Sequence, residues 1–159
     1  MRNGRIFLVL IIVILGTASL STAANNDNHQ VTVTVSVINE LAVTGGDITL
    51  SLNTATPGSD PDDDTDATTG LLWTTNEASK KITAATDNAG ATFTLRVTAT
   101  GVSGGTTSGE ITLSTTATDY VTGVATTTGG CTFSYRASAT AAQGNGSDVH
   151  VVTFTLTDA

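Results

Sequence analysis

From residue 31 onward, apolar and polar positions alternate with a period of two, the pattern of half-buried strands. Val31, Val33, Val35 and Val37 alternate with Thr32, Thr34 and Ser36. Ile48, Leu50 and Leu52 flank Thr49 and Ser51. Phe93, Leu95, Val97 and Ala99 repeat the pattern, Ile111 and Leu113 continue it, and Cys131, Phe133, Tyr135, Ala137 and Ala139 carry it further. Val152, Phe154 and Leu156 form the last such run. Shorter strands are predicted over 71–75, 81–85 and 120–125. Threonine suits the outer faces, because its branched side chain fits the pleat and its hydroxyl meets water.

Turn residues separate these runs. Gly45 with Gly46, residues 87–90, residues 101–109, Gly129 with Gly130, and residues 144–146 read as turns or loops. Residues 53–70, with both prolines, read as the longest loop. No stretch after residue 24 has a helical period. The expected fold is all-β: an immunoglobulin-like or Greek-key sandwich of roughly eight to nine strands whose apolar faces meet in one core.

The first 24 residues have a different character. Arg2 and Arg5 precede ten apolar residues, 6–15, and a small, polar stretch runs from Gly16 to Ala24. That order marks a secretory signal, with cleavage expected after Ala23 or Ala24. The apolar run is short for a span, which needs about 20 residues; a retained signal anchor is the competing reading. Residues 1–24 are thus read as signal peptide, 25–30 as a flexible leader and 31–159 as a single domain. The C-terminal end shows no apolar tail, so the expected location is extracellular, cell-surface or periplasmic, with no membrane insertion of the mature chain.

Charge narrows the partners. After residue 24 only Lys80, Lys81, Arg96 and Arg136 are basic, against 14 acidic residues. Such a chain lacks the basic footprint that nucleic acid or anionic lipid requires. The single cysteine, Cys131, has no internal disulfide partner. Its parity with Phe133 and Tyr135 predicts a structural thiol facing the core.

The candidate chemistry is sparse. Asp60, Asp62, Asp64 and Asp66, with Asp63 between them, offer hard oxygen ligands at the alternating spacing that opens a helix–loop–helix calcium loop. The match stops there: Thr65 stands where glycine is needed and Leu71 where the bidentate glutamate belongs. A Ca²⁺ site and a solvated loop are both open readings. His150 is expected at the rim of the core, and Trp73 either as a core anchor or as a platform for a sugar. No nucleophile elbow, phosphate loop or metal-ligand spacing is present, so no catalytic residue is expected. Glu40, Glu77 and Glu110 are isolated in sequence.

The threonine- and glycine-rich texture, the export signal and the long alternating runs at both ends resemble secreted bacterial surface and fimbrial β-sandwich subunits. The chain departs from chaperone-assembled pilins in lacking a cysteine pair. It also lacks the Trp-x-Leu signature of one surface-domain family, because Thr74 and Thr75 follow Trp73. The resemblance implies a structural or adhesive surface protein, with a fimbria-like filament subunit as the sharper form. A secreted carbohydrate- or calcium-binding module is the alternative, and a secreted hydrolase a more distant one. Expected partners are other copies through strand exchange, other surface proteins or glycans. The run 31–37 is pictured either completing its own domain or pairing with a neighbour.

Overall fold

The structure, a computed structural model, describes residues 25–159; residues 1–24, read above as a signal peptide, lie outside the described residues. By its internal contacts the chain falls into two units that meet between Thr34 and Val35. In the first, residues 25–34 carry no strand or helix.

The second unit is a β-sandwich of ten strands. They are β1 (Asn39–Thr44), β2 (Asp64–Asp66), β3 (Gly70–Thr75), β4 (Lys80–Thr86), β5 (Thr94–Ser103), β6 (Thr106–Thr107), β7 (Glu110–Thr112), β8 (Thr118–Val124), β9 (Thr127–Ser138) and β10 (Val152–Asp158). One sheet runs β1-β3-β9-β5-β7, with β2 also paired to β9; the other runs β10-β4-β8-β6. The strand pairs are antiparallel. Among the described residues, the one helical element is a 3₁₀ turn at Ala141–Gln143.

The alternation explains the core. Leu71 and Trp73 from β3, Val97 and Ala99 from β5, and Phe133 and Tyr135 from β9 meet Ile82 and Ala84 from β4 and Tyr120, Val121 and Val124 from β8. Four aromatic rings tie the sheets together. Phe133 stacks on Phe154 with centroids 4.5 Å apart, and Tyr120 lies 5.2 Å from Phe154. Burial of this kind stabilises by roughly 25 cal/mol per Å² of apolar surface. Two interior donors, Trp73 Nε1 and Tyr120 Oη, have no hydrogen-bond partner among the described residues.

Several expectations change. Residues 31–37 form no strand, and Val31, Val33, Val35 and Val37 are exposed. Residues 48–52 alternate as expected but join no ladder. Both segments have a strand's pattern without a strand's partner, and a ladder needs both. The loop 53–70 contains β2 and an Ala55–Pro61 bridge, because Asp64–Asp66 finds a partner in Tyr135–Ala137 of β9.

Gly129 and Gly130 lie within β9 rather than in a turn. A Cβ on Gly129 would overlap the Trp73 ring and the Ser103 carbonyl. Glycine there makes room for the indole, which is why it sits mid-strand. β5 extends to Ser103 through a register shift at Gly101, whose φ of 62° suits glycine. β1 lacks a clean alternation and forms by pairing with β3.

Candidate functional site

β10 is the edge of its sheet, paired to β4 on one side only. Its inward residues Val152, Phe154 and Leu156 are only partly buried, although they face the interior. Across from them Ile48, Leu50 and Leu52 are also partly buried. Between these two runs lies an open groove of about 820 Å³. Phe133, Tyr135 and Ala137 of β9 line it, and Phe93 and Leu95 extend its apolar wall. The groove interrupts the seam between the sheets, where the apolar stripes of both walls lack a covering layer.

Carboxylates fix the groove's walls. Asp148 accepts hydrogen bonds from the Thr92 and Phe93 N–H groups, both at 2.7 Å. Asp87 accepts from Val151 N–H at 2.8 Å, and Asn88 Nδ2 donates to the Val149 carbonyl. His150 Nδ1 lies 3.0 Å from Thr86 Oγ1, as expected for a histidine at the core rim. Together these contacts hold residues 148–151 along the end of β4 and the loop after it. On the opposite wall, Ser51 N–H donates to Asp64 Oδ2 at 2.6 Å.

The aspartate run is dispersed rather than convergent. Asp60 accepts from Ala141 N–H, Asp62 from Thr54 Oγ1, Asp64 from Ser51 and Thr65 N–H, and Asp66 from Thr68 N–H and Oγ1. Asp63 pairs with Arg136 at 2.8 Å. Among the described residues, no three His, Cys, Asp or Glu side chains gather in a geometry suited to a metal ion. The acidic loop thus ties its own backbone to β9, the 3₁₀ turn and the segment 48–52.

Trp73 is a core residue, 3% exposed. Cys131 is partly buried. Burial pushes its thiol above the ordinary range. Burial likewise pushes the Tyr135 hydroxyl up to about 12. Burial thus disfavours the thiolate form of Cys131 that nucleophilic work needs.

Among the described residues, the four lysines and arginines are all engaged. Lys80 bridges Glu77 and Asp158, and Lys81 pairs with Asp119. Arg96 and Arg136 stand directly opposite each other on β5 and β9. Glu110 of β7 pairs with both. His29 and Glu40 are exposed.

Sequence reasoning missed the groove. Its only advance signal is the alternation at 48–52, which looks the same whether or not a partner strand is present. No protein-family model matches the chain. No curated protein matches it significantly.

Proposed function

We propose that the exported chain is a structural subunit of an extracellular or cell-surface assembly, and that it associates with other copies through residues 31–37. The observation that carries this reading is the state of that run. Four valines alternate with polar residues in a seven-residue segment that is exposed, joins no ladder and is free of charge and proline, and Asn76 Nδ2 donates to its Ser36 carbonyl. Such a segment is a template for pairing with another chain, and soluble proteins normally blunt it with charge, proline or a bulge. Here none of these devices is present. Strand addition to an exposed sheet edge supplies both backbone hydrogen bonds and side-chain pockets. The core position of Trp73 and the separate engagement of the aspartates favour this reading over a sugar- or calcium-binding module.

The test is the variant Val33→Asp, Val35→Asp. Exposed substitutions cost little, within about 0.5 kcal/mol, so this subunit is expected to fold. Wild-type protein is expected to form concentration-dependent multimers, visible by light scattering and negative-stain microscopy. The variant is expected to stay monomeric. A wild type that stays monomeric at every concentration, or a variant that assembles normally, overturns the proposal.

A further inference from the structure

We infer that the groove between residues 47–53 and β10 is the acceptor site for residues 31–37 of a second copy. This rests on the strand-donation reading and adds where the donated strand goes. Three independent features of the groove fit that occupant.

The first is its walls. β10 has a free edge, and the backbone of 47–53 belongs to no ladder. A small molecule would fill the volume but leave both backbones without strand partners. An inserted strand satisfies backbone groups as well as side chains.

The second is its lining. Ile48 and Leu50 of the ladderless run, Phe93 with Leu95 of β5, and Val152 with Phe154 of β10 line the groove and remain only partly buried. Each would lose water-exposed apolar surface under a covering row of valines, and such burial is favourable in proportion to area. Val31, Val33, Val35 and Val37 supply that row at the two-residue spacing of a strand. The seven residues of 31–37 also equal the seven of β10 in length.

The third is charge. Asp47 and Asp148 are among the groove's lining residues, and no lysine or arginine is. An acidic strand would be repelled there, whereas the donor run carries no charge. The donor segment and the acceptor edge are also distinct surfaces of one chain, so the contact is heterologous. Repeated, it adds copies head to tail in an open filament unless the rotation closes into a ring.

Disulfide trapping tests the acceptor. Two full-length variants in a Cys131→Ser background, one Val35→Cys and one Leu50→Cys, are unfolded, mixed, refolded together and oxidised with copper phenanthroline. A parallel mixture replaces Leu50→Cys with Thr112→Cys, on the edge strand β7 and outside the groove's lining. The Val35–Leu50 adduct is expected to exceed the Val35–Thr112 adduct about tenfold or more, because pairing raises the effective concentration of the two thiols. Multimers whose adducts favour Thr112, or show no preference, overturn the groove assignment and leave strand donation standing. Absence of multimers altogether, with wild type also monomeric, removes the underlying reading. A chain carrying both Val35→Cys and Leu50→Cys that closes its disulfide within a monomer overturns the second copy as occupant.

Discussion

At the scale of single residues, several carboxylates, among them Asp60, Asp64, Asp66, Asp87 and Asp148, act as acceptors for backbone N–H groups. Asp148 is the clearest case, because its two bonds hold Thr92 and Phe93 in place at the groove wall. A charged acceptor contributes about 1.5–3 kcal/mol per hydrogen bond, and an orphaned N–H adds a desolvation cost. Water can replace the carboxylate at the exposed Thr92 N–H, so Asp148→Ala is expected to lower unfolding stability by about 2–3 kcal/mol, close to the loss of one such bond. Asp148→Asn keeps an acceptor oxygen and is expected to lose roughly half as much. Urea denaturation of the two variants checks the order; equal losses would mean the carboxylate charge, not the acceptor, matters. The sequence displayed the aspartates but not these roles. A backbone N–H is present at every non-proline position, so nothing in the residue string shows which one a carboxylate will meet. The same limit applies to Gly129, whose glycine character reads as a turn until the Trp73 indole is seen packed over it.

At the scale of elements, Glu110 links three strands. Arg96 and Arg136 face each other across β5 and β9, an arrangement that is unfavourable for like charges. Glu110 on β7 accepts from Arg136 through both carboxylate oxygens and also pairs with Arg96. Its hydrogen bonds to Arg136, then the charges of Arg136 and Arg96, hold its carboxyl below the ordinary value of 4.5. Lys80 sits above its ordinary 10.5 through its hydrogen bonds to Asp158 and Glu77. A depressed carboxyl stabilises the fold fully above its unfolded value and loses that contribution as pH falls through the folded one. A raised lysine contributes fully below its unfolded value and loses this as pH rises through the folded one. The contributions of these groups are thus complete between pH 4.5 and 10.5.

Glu110→Gln is expected to shallow the acid limb of a stability–pH curve and leave the alkaline limb in place. Glu77, also depressed by Lys80, keeps part of the acid limb. Urea midpoints from pH 2 to 11 check this; an unchanged acid limb would place the linkage elsewhere. Element existence was largely legible from alternation, since β3, β4, β8, β9 and β10 lie where the pattern puts them. Pairing was not. Residues 31–37 and 48–52 have the period of strands, but period two states only that one face seeks cover. It does not say whether that cover comes from the same chain.

At the scale of the whole molecule, the sandwich carries an open apolar seam, and residues 31–37 of the same chain carry a strand's alternation without joining a ladder. Its formal net charge of −8 makes copies repel one another at long range. Association through an uncharged strand relies on short-range pairing and burial instead. If the groove is the acceptor, a subunit whose own strand is disabled should be stabilised by that strand supplied as a peptide. The Val33→Asp, Val35→Asp subunit with a synthetic peptide of residues 25–38 makes this measurable. A ligand that binds only the folded state stabilises by mass action, about 2.7 kcal/mol at a hundredfold excess over Kd. For a domain of this size that corresponds to a rise in Tm of about 10 °C. The same peptide with aspartate at positions 33 and 35 is expected to give no rise, because two charges would enter an apolar seam. The rise should grow with the logarithm of peptide concentration, as linkage requires. A Tm that stays flat with the native peptide, or responds equally to both, would mean that the valine face does not fill the groove.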